Sequence, residues 1–287
     1  MHCSDSLCNT PTVDPCSMSS GLDEQVTSFG PCLFPSIFTA EHVRDEITRQ
    51  LQDGECSHYR IAHCQPVVRP ELRKRFTQRQ TDMRKILEAM TVEELHQYLP
   101  QTEERRTFLP NGRRSKFMDD FVTEKDGLIN ELLAPRLSFH GSKSNVVKEI
   151  TRWGFLKHDD IHPSSGLPLG SSHGSCGGKG IYTTPSVAYA LRFCGVGTRL
   201  QVVVCETLLG RAEHVSDVDP DDLKEMTTPY GDSDSHLFNH AHIGWPKAES
   251  EYVIFDKAQL LSCYVVTIEV PERCEQSEQP SGGHFSC

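Results

Sequence analysis

Residues 174–185 read GSCGGKGIYTTP, and the rest of the chain is organised around this stretch. Its first seven positions are mostly glycine and serine, which lets the backbone lie close against a ligand. The residues that follow predict a short strand at Ile181 and Tyr182, a helix N-cap at Thr184 and a helix over residues 186–193. Glycine-rich turns are common between strands, but one that leads directly into an aromatic residue and a helix start favours a ligand-binding loop.

Composition places the chain among soluble globular proteins. Of its 287 residues, 37% are hydrophobic and 24% are charged, and the net charge of −11 argues against binding to bare nucleic acid. No stretch approaches the roughly 18 apolar residues of a membrane span, and no signal peptide is evident. The twelve cysteines include no CxxC pair, so we expect free thiols in a reducing compartment. These features predict an intracellular protein, cytoplasmic or nuclear, that binds no membrane.

The order of the predicted elements indicates an α+β fold. Helices are expected at 38–51, from Pro70, from Thr91 with a capping box to Glu94, at 146–153 and at 186–193. Strands are expected at 137–142, 181–182, 200–206, 251–255 and 263–270. Residues 210–248 are polar and predicted to be irregular. An early helix, two strand–helix units and a final run of strands are typical of α+β proteins with mainly antiparallel strands.

Three separated segments resemble one protein family. They are FHGS at 139–142, GKGIY at 178–182 and SEYVIFD at 250–256. Each segment is short, but together, in this order and spacing, they resemble the catalytic domain of poly(ADP-ribose) polymerases. These enzymes are the diphtheria-toxin-like class of ADP-ribosyltransferases, and the three segments supply the family's His, Tyr and Glu as His140, Tyr182 and Glu251.

The resemblance implies a fold of two packed, mainly antiparallel sheets that are split around an NAD cleft and flanked by helices. It runs from about residue 58 to about residue 270. We therefore expect a catalytic domain at 58–271, a disordered N-terminal tail at 1–57 and a disordered C-terminal tail at 272–287. The loop from Phe155 to Cys176 would be the donor loop, which lies over the adenosine half of NAD.

The resemblance also assigns residues to NAD, which would be the substrate. His140 would hydrogen-bond the ribose of the adenosine half. Gly141 would pair with the nicotinamide carboxamide through its main chain, and Ser142 would bond the same end of NAD. Tyr182 would stack on the nicotinamide ring, with Phe193 as a second stacking aromatic. The expected NAD-binding set is therefore His140, Gly141, Ser142, Gly174, Gly180, Tyr182 and Phe193.

A carboxylate at Glu251 also suits the chemistry on physical grounds. Breaking the bond between nicotinamide and ribose leaves positive charge on the ribose, and a fixed carboxylate stabilises such an oxocarbenium-like state. Taken singly, Glu251, His140 and Tyr182 could be an exposed edge carboxylate, a core histidine and a packing aromatic. Taken together they are the expected catalytic residues of an enzyme that transfers ADP-ribose from NAD to acceptor side chains on proteins and releases nicotinamide.

Two departures from the family keep a second function open. Ala190 stands where many members have a serine that bonds the carboxamide, and residues 134–136 read as an insertion. Either change is compatible with an inactive NAD- or ADP-ribose-binding module. A tRNA 2′-phosphotransferase would place basic side chains where this chain has Tyr182 and Glu251, and a scaffold role for the N-terminal tail has no repeat to support it.

No metal site is expected. Four possible zinc ligands, His158, His162, His173 and Cys176, fall within the donor loop. Their spacing lacks the Cys-rich pattern of the zinc sites in this family, and loops also gather such residues by chance.

For product length, Glu251 makes chain elongation chemically possible, but acidic residues within 210–250 would repel the pyrophosphate of a bound ADP-ribose. Transfer of single ADP-ribose units is therefore favoured over chains. Nucleic acid is not expected as an activator, because the residues ahead of position 58 leave no room for a helical regulatory domain.

Overall fold

A computed structural model of the chain describes residues 36–52, 56–99, 124–169, 176–215, 218–239 and 250–271. The α-helices of these ranges are α1 (Ala40–Gln52), α2 (Pro70–Ala89), α3 (Val92–Gln97), α4 (Lys125–Leu132), α5 (Ser144–Trp153), α6 (Val187–Leu191) and α7 (Pro220–Lys224). The strands are β1 (Arg60–Pro66), β2 (Arg136–Gly141), β3 (Ile181–Thr183), β4 (Arg199–Thr207), β5 (Ala212–His214), β6 (Ser235–Asn239), β7 (Ser250–Ile254) and β8 (Leu260–Glu269). A 3-10 turn at Lys257–Gln259 precedes β8. None of the helices in these ranges is both long and apolar enough to cross a membrane.

The strands form two four-stranded sheets. The first has the order β1-β8-β4-β2 and is antiparallel throughout. The second has the order β3-β7-β6-β5, and only its β5–β6 pair is parallel. This architecture confirms the predicted α+β class with two mainly antiparallel sheets.

The alternation of side chains along β4 explains how the sheets and helices are layered. Val202 and Val204 pack with residues of α1 and α2 in one hydrophobic cluster, whereas Val203 and Cys205 pack with Tyr252 of β7 in another. Because successive side chains of a strand point to opposite faces, α1 and α2 lie on one face of the first sheet, and the second sheet lies on the other face together with Val147 and Ile150 of α5.

The two sheets are joined where β2 passes the end of β3. The Phe139 N–H donates to the Thr184 carbonyl at 2.7 Å, and the Thr184 N–H donates to the Phe139 carbonyl at 2.9 Å. The Thr184 hydroxyl also donates to the Ser250 carbonyl at 2.8 Å, which ties β7 to the same point. Three strands from distant parts of the sequence therefore converge here.

Helix α1 extends the folded unit ahead of the expected boundary. It buries three aliphatic residues, Val43, Ile47 and Leu51. They lie in the same cluster as residues of β2 and β4, so the helix predicted at 38–51 is part of the domain core and the domain begins before residue 58. The terminal segments 1–35 and 272–287, which were expected to be disordered, lie outside the described residues.

The start of helix α6 differs from the prediction. Thr184 is not the N-cap, because the helix begins only at Val187, three residues later, and Thr184 pairs with Phe139 instead. Ser186 takes that role instead, and its hydroxyl accepts from the Tyr189 N–H at 3.1 Å. The capping box from Thr91 to Glu94, in contrast, is present as predicted.

The segment 210–248 is less irregular than predicted, since it contains β5, α7 and β6. These elements have three, five and five residues, too few to establish a period in a polar stretch. Strand β1 was also missed. All of its residues are exposed or partly exposed, so they show no buried face that would indicate a strand.

Among the cysteines that the structure describes, Cys176 departs from the prediction. Cys176 forms a disulfide, and spacing alone could not have revealed this pairing. Free thiols occur at Cys56, Cys64, Cys194, Cys205 and Cys263. Burial raises the pKa of the Cys194 thiol to about 11, so this thiol stays uncharged.

Candidate active site

His140 lies one residue before the end of β2, next to the junction of the sheets. Its Nδ1 is 2.7 Å from the Tyr182 carbonyl oxygen. A carbonyl can only accept, so Nδ1 carries the proton and Nε2 is left as an acceptor. Burial lowers the pKa of the imidazole, although the hydrogen bond to Tyr182 opposes this, and the Phe155 ring packs edge-on at 5.1 Å. A neutral imidazole with Nε2 as an acceptor suits a hydroxyl donor, such as a ribose provides.

Tyr182 is the middle residue of β3, and its hydroxyl is held by the glycine-rich turn. The hydroxyl donates to the Gly178 carbonyl at 2.7 Å and accepts from the Gly177 N–H at 3.0 Å. Burial, followed by the charge of Glu251, raises the pKa of this phenol far above its usual value. The hydroxyl is therefore neutral and engaged with backbone, so it orients the ring.

Glu251 lies on β7 with only 7% of its surface exposed. Val253 of the same strand is the direct partner of Tyr182 on β3. Residues two apart on a strand share a face, so Glu251 is the diagonal neighbour of Tyr182, at a separation of about 7–8 Å for such pairs. The carboxylate and the aromatic ring therefore lie on one face of the second sheet.

Three glycines of the organising stretch pack directly against β7 and its continuation. A Cβ at Gly177 would lie 2.9 Å from Val253 Cγ2, one at Gly178 would lie 2.8 Å from Phe255 Cζ, and one at Gly180 would lie 2.7 Å from Val253 Cγ1. These contacts require glycine whatever the turn binds. Contact of Gly180 with NAD stays a prediction, and Gly174 lies outside the described residues.

The residues expected at the nicotinamide end also lie together. A Cβ at Gly141 would collide with the Ala190 carbonyl oxygen and would lie 3.2 Å from Phe193 Cβ, so only glycine fits at position 141. The next residue, Ser142, hydrogen-bonds the Cys194 thiol through its backbone. The structure therefore brings Gly141, Ser142 and Phe193 to one end of β2, where His140 also lies.

The described part of the donor loop is tied down at its base. Lys257 donates to Asp160 Oδ2 at 2.9 Å, and the Leu169 N–H donates to the Asp160 carbonyl at 2.9 Å. Burial acts to raise the pKa of Asp160, but the hydrogen bonds from Lys257 and from the Lys157 backbone, together with the charges of these lysines, lower it. This anchor joins the loop to the 3-10 turn that follows β7.

The two described histidines of this loop face separate carboxylates. His158 Nδ1 is 2.9 Å from Asp159 Oδ2, and His162 Nε2 is 3.6 Å from Glu149 Oε2. Within the described ranges, no three His, Cys, Asp or Glu side chains are grouped so as to hold a metal ion. His173 lies outside those ranges, and the disulfide removes Cys176 as a thiolate ligand.

One residue near the site was missed by sequence reasoning. His236 on β6 is fully buried and is the direct partner of Val253, which in turn faces Tyr182. Its Nδ1 is 2.8 Å from the Gly177 carbonyl. Strand β6 is too short and too polar for its pattern to have indicated this position.

The chain matches one known protein family over most of its length. The family model of the poly(ADP-ribose) polymerase catalytic domain matches residues 40–270, which is most of the chain and includes helix α1. Curated proteins showed no significant match. Domains of this family use NAD as the substrate for ADP-ribosyl transfer. The chain therefore belongs to the poly(ADP-ribose) polymerase catalytic domain family.

Proposed function

We propose that the protein transfers ADP-ribose from NAD to acceptor side chains on proteins and releases nicotinamide, with His140, Tyr182 and Glu251 as its catalytic residues. The observation that carries this proposal is the junction of the two sheets. There the His140 imidazole bonds the backbone of Tyr182, and Glu251 is the diagonal neighbour of the Tyr182 ring.

The binding roles that the resemblance implies are compatible with the same geometry. The His140 Nε2 accepts from a hydroxyl of the adenosine ribose, since Nδ1 is already engaged as a donor. The main chain of Gly141 and the adjacent Ser142 bond the carboxamide, and Tyr182 and Phe193 offer faces to the nicotinamide ring. The family match supports NAD as the substrate that these residues contact.

Glu251 acts on charge that develops during the reaction. When the nicotinamide–ribose bond breaks, the bonding electrons leave with nicotinamide and positive charge remains on the ribose. The Glu251 carboxylate is buried, and a charge in such a poorly solvated position stabilises the transition state more than one in water. The same carboxylate can accept a hydrogen bond from a hydroxyl of an incoming acceptor and so orient it.

An assay for the transfer of labelled ADP-ribose from NAD to protein tests the proposal. We expect Glu251→Gln to lower kcat by roughly a hundredfold or more while the affinity for NAD changes little, because the missing charge acts mainly in the transition state. Glu213→Gln, the same change on the edge strand β5, is the matched control and should retain activity. Equal labelling by wild type and Glu251→Gln would defeat the proposal.

An inactive NAD-binding module is the second candidate, and Ala190 is the observation that favours it. This residue is fully buried beside Gly141, so no side-chain hydroxyl is offered to the carboxamide from its position. The apparent insertion at 134–136 carries less weight, because Arg136 begins β2 and forms a buried ion pair with Glu131. Binding of NAD without any labelling, in wild type and variant alike, would select the inactive module.

A further inference from the structure

A row of three side chains crosses the second sheet beneath the glycine-rich turn. Tyr182 on β3 is the direct partner of Val253 on β7, and Val253 is the direct partner of His236 on β6. Directly opposed residues of antiparallel strands have their side chains on the same face. Gly177 lies over the middle of this row, because a Cβ there would be 2.9 Å from Val253 Cγ2.

The hydrogen bonds of His236 select one protonation state. Its Nε2 lies 2.7 Å from the backbone nitrogen of Tyr230. A backbone N–H can only donate, so Nε2 is unprotonated. Its Nδ1 therefore carries the proton in the neutral ring and donates to the Gly177 carbonyl at 2.8 Å. The ring is fully buried and packs edge-on to Phe255 at 4.8 Å, which leaves it little freedom to turn.

Gly177 connects this histidine to the candidate active site. Its carbonyl accepts from His236, and its N–H donates to the Tyr182 hydroxyl at 3.0 Å. The same hydroxyl donates to the next carbonyl of the turn, that of Gly178, at 2.7 Å. The turn is therefore held from both sides, by His236 at one end of the row and by Tyr182 at the other.

We propose that His236 is a positioning residue that orients the Tyr182 ring through Gly177 and thereby sets the affinity for NAD. It does not contact the reacting atoms. This inference rests on the proposed role of Tyr182 in stacking on nicotinamide.

Two substitutions separate the two hydrogen bonds of His236. Asparagine places an amide nitrogen near the position of Nδ1, so His236→Asn keeps the donor to Gly177 and loses the acceptor for Tyr230. Glutamine places an amide oxygen near the position of Nε2, so His236→Gln keeps the acceptor for Tyr230 and loses the donor to Gly177. Each variant gives up one hydrogen bond of a buried group, so the two should lower the melting temperature to a similar extent.

The inference predicts different NAD kinetics for these equally destabilised variants. His236→Gln should raise the KM for NAD roughly threefold to tenfold with a smaller change in kcat, as expected for one lost hydrogen bond, and His236→Asn should stay near wild type. In a Tyr182→Phe background, His236→Gln should have no further effect on KM, because the link is already broken. Equal KM values in the two single variants, or additive effects in the double variant, would overturn the inference.

Amide hydrogen exchange at Gly177 gives a readout that needs no NAD. We expect faster exchange of this N–H in His236→Gln than in His236→Asn, and equal rates would overturn the inference. A wild type that binds no NAD would defeat the proposed function, and the exchange rates would still decide whether His236 holds the turn. If His236→Gln does not fold, the wild type can be measured alone. Exchange of its Gly177 N–H should slow when NAD binds, and an unchanged rate would overturn the link between Gly177 and NAD binding.

Discussion

At the scale of single residues, the candidate site depends on which nitrogen of a histidine carries its proton. His140 and His236 both place Nδ1 against a backbone carbonyl, at 2.7 and 2.8 Å. Burial lowers the pKa of each ring, and in both cases the hydrogen bond to the carbonyl opposes this shift. Protonation of His236 would destabilise the folded state more than protonation of His140, because the new Nε2–H would face the N–H of Tyr230.

These shifts predict how stability depends on pH. The unfolded chain binds protons at an ordinary histidine pKa of about 6.5, and the folded chain only at lower pH, so the unfolded state holds more protons in between. The free energy of unfolding should therefore fall as the pH drops below about 6.5, a window above the usual carboxylate range. Urea titrations at about pH 7 and about pH 5.5 measure the change.

Matched variants identify the source of that pH dependence. His236→Gln should flatten the decline, because one of the two imidazoles with a lowered pKa is gone. His63→Asn, at an exposed position on β1, should leave the decline as it is in wild type. A decline in His236→Gln as steep as in wild type would contradict the assignment.

At the scale of elements, helix α2 is fastened to the first sheet by an ion pair. Arg73 of α2 donates two hydrogen bonds to Glu206 of β4, at 2.7 and 3.0 Å. The Glu206 side chain is fully buried and also accepts from the Ile37 N–H at 2.6 Å. One carboxylate thus holds the helix and the segment ahead of α1 against the sheet.

Removing the cation should be costly. Arg73→Ala leaves the buried Glu206 carboxylate without its main partner, and breaking such a pair costs about 3–5 kcal/mol of stability. The control is Arg199→Ala, which breaks the exposed pair with Glu269 on the same sheet and should cost less than about 1 kcal/mol. Urea unfolding of both variants measures the difference, and a similar cost for the two would show that Glu206 has other adequate partners.

At the scale of the whole molecule, the segment between β4 and β7 bears on the length of the product. Some of its acidic residues are neutralised, since Asp234 pairs with Arg211 at 3.0 Å and Glu225 pairs with Lys179 at 2.6 Å. Others are exposed, namely Asp219, Asp222 and Asp232. The repulsion expected for a bound ADP-ribose chain therefore comes from fewer charges than the sequence suggested.

We still expect single ADP-ribose units as the product, because elongation needs a second pocket that holds the growing end within about 1 Å of its reactive position. Gel analysis of automodified protein should show a discrete shift, with or without added DNA. The Asp219→Asn, Asp222→Asn and Asp232→Asn triple variant should leave that shift unchanged. A high-molecular-weight smear that a poly-specific glycohydrolase removes would refute single-unit transfer.

Much of the candidate site could be predicted from the sequence, because its segments are short and local. The strand at Phe139 and His140, the glycines before Tyr182 and the strand at Glu251 each occupy only a few consecutive residues, and their order alone indicated the family. The role of His236 could not be predicted. It depends on the register of β6 against β7 and on the turn that passes over Val253, and neither leaves a local pattern.

The sequence by itself determined the fold class, the helix periodicities and the residues that resemble a transferase site, because these depend on neighbouring residues and on their order. Only the tertiary structure decided where α1 belongs, which residue caps α6 and why Gly141 and Gly177 must be glycine. Those outcomes depend on contacts between residues distant along the chain, such as the Ala190 carbonyl against Gly141. Local propensity carries no information about which distant backbone will approach a given position, so packing settles it.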